Sequence, residues 1–247
     1  MAPEKAFSPA APEKPVVRRK RALSVGQPIR SRLLEGLSAE EVAEVLGAAT
    51  TERFPAGTVI FDQTHWAQRL FLLTEGRARY FFISQQGHRI LLPWLVPGDI
   101  AGVRAILPQP FHYHVSLEVI KDSRFLVWDR RALRQLIVRY PKFLRNALFV
   151  ADIYLSWFLT AHIALTCFTA RQRCASILRS IALTIGEKTE EGIEVEITNE
   201  ELADSSATSL FEASRFLSDW RRSGAILKKR GRIVVRSLNL LERGIRE

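Results

Sequence analysis

Cysteine is scarce in this chain. There are two in 247 residues, Cys167 and Cys174. They are seven positions apart in a stretch of helical texture, so they share a face at a separation of about 10 Å by helix rise. That is too far for a mutual disulfide. Both read as reduced thiols of a cytoplasmic protein, and no four-cysteine metal pattern is present. An apolar run is missing from the first 30 residues, which are rich in Pro, Ala, Lys and Arg; that excludes a signal peptide at this end. There is no phosphate-cradling Gly loop, no nucleophile elbow and no paired-histidine zinc helix, so nothing marks an enzyme. Acid is outnumbered by base, 26 Asp and Glu against 36 Lys and Arg, a formal charge of +10. Such an excess favours nucleic acid or an anionic membrane surface as partner.

What is present is a chain with 47% hydrophobic residues, enough for one large domain or two ordinary ones. Residues 1–30, with "RRKR" at Arg18 to Arg21, read as a disordered basic arm, either a phosphate contact or a solvated tail. Leu148 to Phe168 is about as long as a spanning helix. It contains Asp152 and His162 and stands alone between soluble-looking segments, so it is read as a helix interface, with no membrane partner.

Gly36 to Thr50 predicts a short amphipathic helix capped by Ser38, with Val42, Val45 and Leu46 inward. From Thr51 to about Asp129, β-rich runs ("TVIF", "RLFLLTEG", "RARYFFIS", "HRILLPWL", "YHVSLEVI", "SRFLVWD") alternate with turn signals, Gly76 among them. This predicts a closed or sandwiched antiparallel unit. A helix follows from Pro141 to Cys167. Leu148, Leu155 and His162 occupy one heptad seam, and Ala151, Phe158 and Leu165 the other, which predicts pairing across a two-fold axis into a homodimer.

The last third predicts a DNA-reading unit. A helix at "TARQRCASILRSIALTIG" and a strand at "EGIEVEI" precede it. Thr198 caps a helix with Glu200 and Glu201 in its first turn, "ATS" (including Thr208) is a tight turn, and Ser209 caps a second helix that Gly224 ends. "AILKK-RG-RIVVR" is a hairpin wing. Arg215, Arg221, Arg222, Lys228, Lys229, Arg230, Arg232 and Arg236 cluster here with Asp219 as the one acid among them. A winged helix-turn-helix with a basic reading helix and wing suits double-stranded DNA.

On these motifs the chain resembles the Crp/Fnr family of transcription regulators. "FPAGTVIFDQ", "LFLLTEGRARYFFISQQGHR" and "LVPGDIAG", with Gly57, Gly76, Gly87, Gly98 and Gly102, match the cyclic-nucleotide-binding pattern. "ITNEELADSSATS", "SRFLSDWRRSGAI" and "RGRIVV" match the family's helix-turn-helix. The resemblance spans about residues 31 to 240. It implies an α+β chain: an antiparallel β-roll of the cupin-like jelly-roll type at 31–140, a dimerisation helix at 141–167 and a winged helix-turn-helix at 168–247. It also implies a homodimer on an inverted-repeat operator, with RNA polymerase as a candidate further partner. A filled sensor pocket would shift the long helices and turn the two reading units into register; a dimer competent as made is equally open.

The departures from the family are specific. Relatives that bind cyclic AMP carry a ribose Glu and a phosphate-holding Arg-Ser pair after the last strand glycine. Counting from Gly102, those positions fall on Val103, and on Tyr113 and His114, with Arg104 the nearby cation. Control by cyclic AMP is therefore not expected. The expected effector pocket comprises Gly102, Arg104, His112, Tyr113 and His114. In a strand, His112 and His114 would face one way; they are filler, or line a site for a small apolar or anionic effector, or ligate haem or a metal, and no cofactor is assigned. Iron–sulfur sensing lacks its cysteines. The DNA-contacting set is Thr198, Thr208, Ser209, Leu210, Glu212, Arg215, Lys229 and Arg230. Arg215 suits guanine and Glu212 a cytosine amine, and Leu210 and Phe211 suit a thymine methyl unless Phe211 is core. The altered "SLFEAS" leaves an alternative: a ligand- or haem-sensing module whose helix-turn-helix has lost DNA reading.

Overall fold

The computed structural model describes residues 17–19 and 29–241. Eleven strands and six α-helices follow in order: β1 (Val17–Arg19), α1 (Ala39–Gly47), β2 (Thr50–Phe54), β3 (Val59–Phe61), β4 (Arg69–Ile83), β5 (Arg89–Leu95), β6 (Ile100–Ala101), β7 (Ser116–Asp129), α2 (Arg130–Arg139), α3 (Pro141–Cys167), α4 (Ala170–Ile185), β8 (Glu187–Thr189), β9 (Gly192–Glu196), α5 (Asn199–Ser205), α6 (Leu210–Arg222), β10 (Ile226–Lys229) and β11 (Arg232–Val235). All pairings are antiparallel. One sheet runs β1-β2-β7-β4-β5, with β3 on β7 and β6 on β4; the other runs β10-β11-β9-β8. The chain is thus an N-terminal antiparallel β unit, a long helix and a C-terminal helix-turn-helix with a wing.

Two strand expectations need correction. "RLFLLTEG" and "RARYFFIS" are one strand, β4, and "YHVSLEVI" and "SRFLVWD" merge into β7. Gly76 is not a turn but the centre of a bulged register between them, with shifts from Leu73 to Ala78. Its φ is 94°, and a Cβ there would lie 2.3 Å from Ser123 Oγ and 2.4 Å from the Asp122 carbonyl. A bulge needs a residue that tolerates positive φ and close backbone approach, and both conditions select glycine. Strand β8 was not foreseen; its three residues are all exposed and carry no burial alternation. The arm expected to be disordered contributes β1, whose Val17 to Arg19 pair with Arg53 to Thr51, because β2 has a free edge for it. The rest of "RRKR" and of residues 1–28 lies outside the described residues, as do 242–247.

The long helix has the expected bounds, with Pro141 in its first turn, where the missing N–H costs nothing. Phe143, Ala147 and Val150 are buried at i, i+4 and i+7, the face packed on the roll. They join Leu33, Leu70, Leu126 and Trp128 in one cluster. Asn146 donates to the carbonyls of Leu33 and Glu35 at 3.1 and 2.7 Å, tying the helix to the segment before α1. Beyond Val150, Tyr154 still packs on the roll while most of the helix surface is exposed, and by length and composition the helix is apolar enough to cross a membrane. It ends at Phe168, which is extended, and Thr169 starts α4 with a capping box to Gln172.

Candidate functional site

The helix-turn-helix is built by two further capping boxes. Thr198 accepts from Glu201 N while Glu201 accepts from Thr198 N, and Ser209 and Glu212 repeat the arrangement on α6. Each box satisfies N–H groups that a helix start leaves unpaired. Between the helices, Ala207 is held at φ 49°, a left-handed conformation that is costly for a residue with a Cβ. Arg173 of α4 supports the turn: its guanidinium donates to the carbonyls of Ser206, Ala207 and Phe168, each at 2.9 Å. Asn199 donates to Ser214 Oγ at 3.0 Å, bracing α5 against α6. The sequence reading missed both groups. The nearest signal was Arg173 in the first turn of α4, a poor place for a cation next to a helix N-terminus unless it has carbonyls to hold.

On α6, Ala213, Phe216, Leu217 and Trp220 are buried. The outward face carries Arg215 and Ser218, and ahead of them Leu210 and Phe211, 53% and 77% exposed. Phe211 is therefore not core. Glu212 caps α6: one carboxylate oxygen accepts from Ser209 N at 3.0 Å and from Ser209 Oγ at 2.8 Å. Those bonds hold its carboxyl below the usual range. Ser206 Oγ and Thr208 Oγ1 are 3.0 Å apart, so Thr208 is spent within the turn.

On the wing, Lys229 pairs with Glu191 and, at 3.5 Å, with Glu194. Arg232 pairs with Glu194 at 2.8 Å and with Glu196 at 3.1 Å. The partners come from β9 and the turn before it. Lys228 and Arg230 are exposed and form no ion pair with the described residues. Of the two wing cations expected at DNA, Arg230 is presented and Lys229 is engaged elsewhere.

The second candidate site is a cavity of about 640 Å³ between the roll and α3. Its walls include Phe61, Tyr80, Tyr113, Tyr154, Trp157 and Phe158. The expected pocket residues Gly102, Arg104, Tyr113 and His114 line it, as do the seam residues Leu148, Ala151, Leu155 and Phe158. His112 does not: it stacks on Trp66 at 3.9 Å between ring centroids. The "HYH" stretch is not part of a strand, since β7 begins at Ser116 and His112 forms an isolated bridge with Trp66. Pairing by alternation therefore fails, and the two imidazoles part company. No group of three or more His, Cys, Asp or Glu fit to hold a metal occurs among the described residues.

Polar groups around the cavity are already bonded. Val103 opens a short 3-10 turn behind Gly102 and has no carboxylate for a ribose. Tyr113 stacks on Phe61 at 3.8 Å, and its hydroxyl donates to the Arg69 carbonyl at 3.0 Å. A Cβ on Gly102 would sit 3.1 Å from the Tyr113 ring, so that ring occupies the corner beside Gly102. Arg104 donates to the His112 carbonyl at 2.8 Å, lies over the Phe111 ring at 4.6 Å and approaches His114 Nδ1 at 3.4 Å. Burial, and then the neighbouring Arg104 charge, push the His114 imidazole below its ordinary value. The hydroxyls of Tyr80 and Tyr154 both donate to the Ile100 carbonyl. Burial is the main cause that raises both phenols.

Of the expected seam residues, Leu148, Leu155, Phe158, His162 and Leu165 are exposed, and Ala151 is half-buried. Phe149, Leu159 and Ile163 are exposed beside them.

Two families match the chain: the cyclic nucleotide-binding domain over residues 51–140 and the Crp-like helix-turn-helix domain over residues 172–243. Among curated relatives, the transcriptional regulator LdrP of Thermus thermophilus is 27% identical over 194 residues, 78% of this chain and 95% of that protein. The cyclic AMP receptor protein of the same species is 28% identical over 216 residues, 86% of this chain and 95% of that one. A solved Crp-family transcriptional regulator of Thermus thermophilus aligns with TM-score 0.67 at 25% identity, over 79% of this chain and 96% of that one. A CooA mutant of Carboxydothermus hydrogenoformans aligns with TM-score 0.67 at 26% identity, over 85% and 94%.

Proposed function

Because the chain belongs to the Crp/Fnr family of transcription regulators, we propose that it works as a homodimer that reads an inverted-repeat operator and is not controlled by cyclic AMP. The family is one of regulators and not of enzymes. The observation that carries the reading is the outward face of α6 and the wing, where Arg215, Lys228 and Arg230 stand exposed without an ion pair among the described residues. Arg215 suits bidentate contact with guanine, and the wing cations suit phosphate. In this reading the domains are the sensor unit at 31–140, the dimerisation helix at 141–167 and the DNA-binding unit at 168–247, working in the cytoplasm with RNA polymerase as a further partner.

Dimerisation is supported by the apolar stripe of α3. The exposed Leu, Phe and Ile side chains run from Leu148 to Leu165, about 26 Å along the helix; a stripe of that length is larger than a monomer usually leaves in water. A second copy of the helix would cover both seams. The stripe suits a partner helix better than lipid, since the first half of the same helix is fastened to the roll. Sedimentation velocity should return a dimer mass, and Leu155→Lys should return a monomer. A monomeric parent protein would contradict the reading.

The cavity supports independence from cyclic AMP. A cyclic nucleotide brings a phosphate and a ribose, and the lining has no carboxylate at Val103 and no unengaged cation at Arg104. An uncharged, apolar effector fits this lining better, with neutral His114 as a polar contact. Adding cyclic AMP should leave thermal stability and DNA affinity unchanged; a saturable shift would overturn this part.

The primary test is selection of duplexes from a randomised pool by the protein as purified. An inverted repeat with half-sites about one helical turn apart is expected. Lack of enrichment, with or without candidate effectors, would favour the alternative of a sensing module that no longer reads DNA.

A further inference from the structure

Phe211 has no internal use. The inward face of α6 is complete without it, from Ala213 to Trp220, and its ring is 77% exposed. No aromatic or cationic side chain stacks on it among the described residues. Leu210 beside it is 53% exposed. The two form an apolar tip on the first turn of α6. Arg215 lies exposed one turn along the same face, and the wing of the same unit carries exposed Lys228 and Arg230. An apolar tip on a unit this rich in exposed cations suits an occupant that is anionic outside and offers an apolar group within reach. On the floor of the DNA major groove that group is the 5-methyl of thymine, since the other unmodified base edges there present polar donors and acceptors.

The one acid of this turn is committed to the cap through one of its oxygens. Glu212 is held by the N–H and hydroxyl of Ser209 at 3.0 and 2.8 Å, so the two exposed apolar side chains, Leu210 and Phe211, lead the turn. We propose that Phe211, seated by Leu210, is a specificity-determining residue that selects thymine through its 5-methyl group. The inference rests on the DNA-reading function proposed above. Phe211 and Arg215 are four residues apart on one face, about 6 Å of helix rise. Base pairs stack about 3.4 Å apart, so the thymine lies within two base pairs of the guanine assigned to Arg215.

The experiment uses the full chain and the operator recovered by selection. Each thymine is replaced in turn by deoxyuridine, which pairs identically and lacks only the methyl. At one thymine per half-site, uracil should weaken binding about fourfold, the worth of one buried carbon group. Phe211→Ala, at an exposed position that leaves the fold intact, should bind the thymine and uracil operators equally, and Phe211→Leu should retain part of the preference. At the same position, 5-methylcytosine paired with guanine should bind more tightly than unmethylated cytosine, since it restores the methyl alone. Uracil neutral at every position, a preference retained by Phe211→Ala, or 5-methylcytosine binding no more tightly than cytosine would each overturn the assignment while leaving sequence-specific DNA reading intact. If the parent protein enriches no duplex at all, both the DNA-reading function and this inference fall.

Discussion

Single side chains divide the basic surface into groups that read, groups that grip and groups that hold the protein together. Arg215→Ala should weaken operator binding by about 1–3 kcal/mol and relax the preference at one position of each half-site, measured by repeating the selection. Arg230→Ala should weaken binding to all duplexes and reduce the salt slope by about one ion. Lys229→Ala should do this less, because Glu191 and Glu194 already hold the ammonium. His114 gives a pH dependence with a definite sign. Its folded value lies below its ordinary 6.5, so the folded state favours the neutral imidazole. Its contribution is present above about pH 6.5 and is lost as the pH falls through that range, when a second positive charge arises beside Arg104. Thermal unfolding between pH 7.5 and 5 should show this loss, and His114→Gln should flatten it.

At the level of elements, bulges and caps decide what alternation and charge alone leave open. Gly76→Ala should destabilise the roll by about 1–3 kcal/mol, the cost of a strained backbone position. The added Cβ also meets the Ser123 hydroxyl and the Asp122 carbonyl. A melting temperature equal to the parent's would contradict the bulge geometry. The same residue shows where sequence reading stops: glycine marks a turn and a bulge alike, and the pairing partner that distinguishes them, β7, is more than 40 residues away. Thr198, Ser209 and the periodicity of α3 were legible because capping and heptads are local. The fate of Glu212 was ambiguous for a related reason. A Glu three residues after a Ser is a cap partner and an outward-facing acid at once, and the hydrogen bonds made by Ser209 choose the first. The separation of His112 from His114 depended on Trp66, which is remote in sequence. The engagement of Lys229 depended on β9 and the turn before it.

Across the whole molecule, the reading unit is docked on the roll by a polar latch with an aromatic centre. Arg79 of β4 donates to Glu118 of β7 at 2.8 and 3.1 Å and to Glu201 of α5 at 3.0 Å. Its guanidinium lies 4.8 Å over Trp94, and Trp94 is buried with the core residues of the reading unit. Arg77 and Lys121 add pairs to Glu196. Glu201 is also the capping acid of α5, so one carboxylate fastens the helix to its own start and to the other half of the chain. Arg79→Met removes one partner of a buried pair, a change of the order of 3 kcal/mol in such settings. It should raise amide exchange in α5 and β5 together while α1 and β2 keep their protection. Uniform exchange changes throughout the chain would show that Arg79 supports the roll rather than the docking.

Leu148, Ala151, Leu155 and Phe158 stand in two places at once. They line the cavity behind Gly102, and they occupy the heptad positions of α3. A substitution that enlarges or reshapes the chamber therefore also alters the seam through which, in the proposed homodimer, one copy meets another. In the proposed homodimer a change of diet would also be a change of mate: duplicated copies drifting toward different small molecules would lose the ability to mix, and their circuits would separate without further mutation.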